Sequence, residues 1–323
     1  MMKQKSIIKQ KGFTLLELLV VITLLAILAV GGLVAYDGVG ENAESSAGAY
    51  NIASLDRAVR QYRAVTNTYP DQWDNLSDPA AALPAGGSNF LAETTQQVFG
   101  SWNIGGAEPA FRQAVVDRIR TVWGMEEIQQ VVSPFDGTAA PGKMHNEGTG
   151  FSREDAFFDE DNNNVWTGDF SHISIAPSAN GDTGEVCTVG TQQVSNTFAD
   201  GAVAGAPELI AMARRLNAMN DAMGIERCHL VIALGFGGDA ASSTSRASVN
   251  IPAAPTYTSP NVNPAVNYGR YVGLFHMGRT DSGAGETTIG VDELFARPKL
   301  IGFVTPEGQP VDVLVQGTRS EDN

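Results

Sequence analysis

The longest apolar stretch of the chain runs from Phe13 to Tyr36, and Glu17 is its only ionisable side chain before the closing tyrosine. At 1.5 Å per residue this makes roughly 36 Å of helix, slightly more than the hydrocarbon thickness of a bilayer, so the stretch can span a membrane. No second run of this kind occurs. Beyond it the pattern turns amphipathic. On a helical wheel Ala47, Leu55, Ala58, Val59, Tyr62 and Val65 share one face, opposite Asp56, Arg57, Arg60 and Gln61, which predicts that the helix continues over 37–65. Gly31, Gly32, Gly38 and Gly40 lie between the halves. Each disfavours helix by about 1 kcal/mol relative to alanine, so the junction is expected either to kink or melt, or to use its glycines for close helix packing. Tyr69-Pro70-Asp71 stops the helix, because proline disfavours helix in the residue before it.

The remainder, 66–323, reads as one mixed domain. A loop to about Ser101 is followed by a helix from Glu108 to about Val132, opened by Pro109, and a further helix spans Pro207 to Met223 before Gly224. Strand patterns occur at Phe170–Ala176, Glu185–Val189, His229–Phe236, Arg270–Met277, Lys299–Thr305 and Val311–Gln316, the last two joined by a Pro306-Glu307-Gly308 turn. Gly237–Tyr268, rich in Ala, Ser, Pro and Asn, reads as a long exposed loop. The expected fold is therefore α+β: a long N-terminal helix packed on an antiparallel sheet, with a large helical and loop insertion.

Charge sharpens this division. Lys3, Lys5, Lys9 and Lys11 form a basic leader without acids, whereas the whole chain holds 21 Lys+Arg against 36 Asp+Glu, a net charge of −15. By the positive-inside rule the lysines stay in the cytoplasm, and the long acidic part lies on the other side. Its field repels phosphate backbones, which argues against a nucleic-acid partner. A secretory signal peptide cut near Ala29, Val30 and Gly31 would share the basic and apolar regions. What distinguishes this segment is the carboxylate. An ionised glutamate inside a membrane helix is unfavourable and needs a partner.

The string Gly12-Phe13-Thr14-Leu15-Leu16-Glu17-Leu18-Leu19-Val20-Val21-Ile22, preceded by Lys11, resembles the class III signal of type IV pilins and type II secretion pseudopilins. The resemblance covers about the first thirty residues and says little about the large domain beyond. It implies cleavage of the leader 1–12 after Gly12 by a prepilin peptidase, N-methylation of Phe13, and a filament-core and transmembrane helix over 13–36. It further implies that Glu17 pairs with the N-terminal amine of a neighbouring subunit in a homo-oligomeric filament, with an inner-membrane assembly platform and other pseudopilins as partners. Pilin-like filaments lose helix near the glycine region, usually around a proline, but this chain has none before Pro70. The implied role is that of a structural, non-enzymatic subunit of a type II secretion pseudopilus or type IV pilus. It would sit in the inner membrane as a single-pass protein, with the body in the periplasm or outside the cell. A minor subunit that primes assembly or presents a binding surface, and a membrane-anchored exported enzyme or binding protein, are the alternatives.

Cys187 and Cys228 fall on the exported side, where disulfides persist, and joining them would close a loop worth about 3 to 4 kcal/mol by the chain-entropy model. Two buried thiols are the alternative, and zinc is disfavoured by the lack of paired Cys or His spacing. Asp159, Asp161, Asn163 and Asp169 place oxygen ligands at spacings suited to Ca2+, the one candidate cofactor, although the glycine and final glutamate of an EF-hand are missing, so a solvated acidic turn fits as well. Gly137 to Lys143 imitates a P-loop but continues with Met144, and Asp182-Thr183-Gly184 and Asp281-Ser282-Gly283 lack the apolar lead-in of aspartic proteases. His145, His172, His229 and His276 show no metal spacing, and the last two sit in apolar strand patterns.

Mass spectrometry of the mature chain should find N-methyl-Phe13 at its start, and Gly12 replacement should leave an uncut precursor. A mature start at Gly31 or Gly32 would instead identify a plain signal peptide.

Overall fold

The computed structural model of the chain describes residues 14–77, 98–131, 153–157, 172–182, 184–190, 192–194, 216–263, 267–281 and 285–319, together with 91 and 214. Helix α1 (Leu15–Thr66) is one continuous helix through all four glycines, without the melted stretch that their propensity suggested. It ends at Asn67, whose left-handed backbone (φ 62°) returns its N–H to the Arg63 carbonyl. Ala49, Ile52, Leu55, Val59 and Tyr62 are buried against the body. Ala47 and Val65, expected on that face, are exposed, and Ala49 and Ile52 take the face instead. The stripe follows the 3-4 spacing of the side chains that meet the body, and Gly48 lies within it because a Cβ there would come 3.3 Å from Leu314 Cδ1.

The body contains strands β1 (Trp73–Asn75), β2 (Gly100–Trp102), β3 (Glu127–Val131), β4 (Arg153–Phe157), β5 (Ile173–Ala176), β6 (Ala179–Asn180), β7 (Glu185–Val186), β8 (Thr188–Val189), β9 (Gln192–Gln193), β10 (His229–Gly235), β11 (Val272–Arg279), β12 (Thr288–Ile289) and β13 (Leu294–Val304). The main sheet runs β13-β11-β10-β1-β3-β4. Strand β5 shares the second edge of β10 with β1, and β2 lies beyond β5. Its pairs are antiparallel except β1 with β3, which departs from the wholly antiparallel expectation. Every residue of β10 is buried because both faces of the sheet are covered. Leu230, Ile232 and Leu234 join the cluster that contains α1, while Val231 and Ala233 join a second cluster with Leu216, Met223, Val272 and Leu274.

Trp73 organises the first cluster. Its ring meets Phe236 and Phe275 edge-on, each at 5.0 Å, and stacks on Phe303 at 5.9 Å, while its indole donates to the Pro70 carbonyl at 2.7 Å. Gly273 is needed opposite, since a Cβ there would lie 2.6 Å from Trp73 Cζ3. Strand β13, at the end of the sheet, is sealed by side chains. Arg118 donates to the carbonyls of Phe295 and Leu294, Trp123 to that of Pro298 and Arg60 to that of Ile301, while the Tyr69 hydroxyl accepts from Leu300 N–H. With Pro298 itself lacking an N–H, this edge is a poor template for strand addition.

Four sequence expectations are corrected. Val311–Gln316 is not a strand but the start of helix α4 (Val311–Arg319), because Val311, Leu314 and Val315 bury one helical face, and tertiary packing overrides β-branched propensity. The helix expected over 108–132 divides into α2 (Pro109–Asp117), a π-helical segment Arg118–Trp123, and strand β3. Gly124 (φ 70°) makes the break, where a Cβ would strike Thr68. The loop to Ser101 contains β1 and β2. Gly237–Tyr268 carries the short helix α3 (Gly238–Ser243) and buries Ile251, Tyr257, Val262 and Tyr268. Of the Pro207–Met223 helix, residues 216–219 are described as helical and most of the remainder lies outside the described residues.

The strand histidines meet in the core. His229 Nδ1 lies 3.0 Å from His276 Nε2, and His229 Nε2 lies 3.0 Å from the Gly224 carbonyl. An N–H of His229 faces that carbonyl, and burial lowers both imidazoles below their ordinary value, which favours their neutral forms. Burial first, then the neighbouring His229 and Arg279, pushes His276 down to about 3. The ordinary value is 6.5, so the unfolded chain binds more protons across this window, and stability falls as pH drops through it. Between about pH 6.5 and 5 this amounts to about 2 kcal/mol for His276. Denaturant midpoints of His276→Gln should show a shallower pH dependence than the parent, and an unchanged slope would refute the assignment.

Candidate assembly site at the N-terminal helix

Thr14 heads α1 in extended conformation, and its hydroxyl accepts from Glu17 N–H at 3.3 Å. In return Glu17 Oε2 accepts from Thr14 N–H at 2.9 Å and from the Thr14 hydroxyl at 3.0 Å. This is a capping box, in which each side chain accepts from the other residue's otherwise unpaired backbone N–H. Glu17 Oε1 accepts no hydrogen bond from the described residues. One carboxylate oxygen is thus held by the helix start, and the other is free to meet a cation. Thr14 was not singled out from the sequence, although Thr14-Leu15-Leu16-Glu17 matches the capping-box spacing and could have identified it. Gly12 and Phe13 lie outside the described residues.

Behind this cap, Leu15–Gly32 is long and apolar enough to cross a membrane, and none of it is buried in the chain. Leu15 is 85% exposed and Ile27 72%. The apolar surface therefore has no covering within the described residues, whereas from Gly48 onwards α1 belongs to the core.

Cys187 and Cys228 are joined, with Cα atoms 5.5 Å apart, and both are fully buried. The bond ties the β7–β8 junction to the start of β10, where Cys228 also exchanges hydrogen bonds with Thr280. Asp159, Asp161, Asn163 and Asp169, with the P-loop look-alike, lie outside the described residues. Among the described residues, no three His, Cys, Asp or Glu side chains gather as a metal set. Asp182 sits in the β6–β7 turn and Asp281 follows β11. A groove of about 510 Å³ lies between α1, residues 218–219, β13 and the start of α4. Its Asp56 and Arg60 pair with each other at 2.7 Å.

Residues 7–33 match the prokaryotic N-terminal methylation motif, the class III prepilin signal of type IV pilins and pseudopilins. Comparisons of the chain with curated proteins and with solved structures each return no match. The motif and the one membrane-length apolar helix among the described residues fit a single-pass membrane anchor of a pilin-like protein.

Replacing Thr14 by Ala should weaken the first turn by about 1 kcal/mol, seen as faster amide exchange at Leu15 to Leu18 in detergent. Exchange unchanged from the parent would show that the cap contributes nothing.

Proposed function

We propose that this chain is a structural subunit of a pilin-like filament, either a type II secretion pseudopilus or a type IV pilus. It is inserted as a prepilin, cleaved after Gly12 by a prepilin peptidase, and N-methylated on Phe13. The observation that carries the proposal is an unburied apolar stretch, Leu15–Gly32, with Glu17 in its first turn, inside the matched methylation motif. Before assembly the apolar half sits in the inner membrane, with the leader in the cytoplasm and the acidic body on the far side. After extraction by the assembly platform it packs among the same segments of other copies and of other pseudopilins. Glu17 then meets the amine of a neighbouring Phe13 through the oxygen that Thr14 leaves unused. The sealed edge of β13 supports this route, since it favours contact between copies through helices rather than through an extended sheet.

The role of Glu17 separates a filament subunit from a simple anchor. An anchor inserts more readily without the carboxylate, whereas a subunit loses the charge that draws the incoming helix into register. Glu17→Leu should therefore leave export and insertion intact and severely reduce sheared filaments or crosslinked ladders, while Glu17→Asp should do less harm. Undiminished assembly by Glu17→Leu would overturn the pairing role.

A further inference from the structure

Several arginines of the body are engaged. Arg60 is paired with Asp56 and bonds the Ile301 carbonyl, Arg118 bonds the carbonyls of Ala114, Leu294 and Phe295, and Arg270 bonds Ala254 and Thr256. Two others face a common cleft without such partners. The cleft, of about 180 Å³, lies between the last turn of α1, the π-helical segment and β13, and is lined by Arg63, Asn67, Thr121, Val122, Ala296 and Arg297. No carboxylate among the described residues lines it, in a chain with 36 acidic residues against 21 basic ones.

The Arg63 guanidinium lies over the Tyr69 ring, Cζ 4.1 Å from its centroid, and its buried Nη1 donates to no acceptor. Arg297 is exposed and makes no hydrogen bond or ion pair among the described residues. The Asn67 side chain, fixed at the helix end by its left-handed backbone, has no hydrogen-bond partner either. Two cations and a neutral amide thus line one cleft, and neither Arg297 nor the Asn67 side chain has a hydrogen-bond partner among the described residues. Stacking on Tyr69 already holds one guanidinium flat, so little freedom is lost when it binds.

We infer that this cleft binds a small, multiply charged oxyanion of the phosphate or sulfate class, held between Arg63 and Arg297 with Asn67 as a third donor. Planar guanidinium forks match the oxygens of a tetrahedral anion, and each such bond is charge-assisted. The cleft is smaller than the roughly 300 Å³ at which nucleotide- or drug-sized pockets begin, so the anion is a single group. It is a free anion rather than a lipid headgroup. Arg63 stands on the order of 45 Å along α1 from Gly32, at the far end from the membrane-crossing segment. This inference does not depend on the filament reading.

The test is equilibrium dialysis of the full chain in nonionic detergent against radiolabelled inorganic phosphate, at a constant ionic strength of about 0.15 M. One saturable site per chain is expected, displaced by sulfate and not by chloride. Arg297→Gln should weaken it by about tenfold or more with the thermal midpoint unchanged, since Arg297 is exposed and has no partner. Arg63→Gln should weaken binding comparably while also lowering the thermal midpoint through loss of its stacking on Tyr69, and Arg297→Lys should retain part of the affinity. Absence of saturable binding, or binding indifferent to both glutamine variants, would overturn the inference. So would a requirement for anionic vesicles before any site is seen.

Discussion

An apolar helical surface that its own chain leaves uncovered is the constraint on which the rest of this structure depends. Leu15–Gly32 exposes every one of its large aliphatic side chains, and burying a single such side chain is worth about 1.5 to 3 kcal/mol. Lipid or the same surface of other copies can supply that burial, and water cannot. Because α1 is a single helix to Thr66, whatever holds the apolar half is joined without a break to Leu55, Val59 and Tyr62 in the core of the body. The helix is both the anchor and the spine of the fold.

The body is built to withstand that attachment. Trp73 gathers Phe236, Phe275 and Phe303 at the centre of the sheet, a buried disulfide ties the β7–β8 junction to β10, and α4 packs Leu314 against α1 where Gly48 allows close approach. Both faces of the central strands are covered, and the β13 edge is closed by Arg60, Tyr69, Arg118 and Trp123. Sealing that edge removes one template for strand addition, and the net charge of −15 disfavours non-specific association between bodies.

Glu17 shows how one residue serves a monomer and an assembly. In the single chain its carboxylate closes the capping box with Thr14, which orders the start of the helix and fixes where the acid points. Only one oxygen is consumed, so a second chain need not break the cap to use the other. The charge that makes the apolar segment costly to insert is thereby aimed before any partner arrives.

What the sequence determined by itself is local or one-dimensional: the apolar run and its length, the basic leader, the methylation motif, the end of the helix shortly before Pro70, and the β10 and β11 strands, whose apolar runs are long enough to be unambiguous. The position of Glu17 belongs here too, and Thr14 was legible in the same four residues. What only the tertiary structure decided is where a local pattern had two solutions. Val311–Val315 alternates like a strand but becomes helical because α1 offers a face to three of its residues. Trp73 sits in a three-residue strand too short for any periodicity, and its weight comes from rings more than 160 positions away. Gly124 ends a helix because Thr68 occupies the space a side chain would need. Arg63 and Arg297 are 234 positions apart, and no spacing in the chain announces that they share a cleft. Periodicity reports how a segment meets a generic apolar surface. It cannot report which surface the rest of the chain will provide.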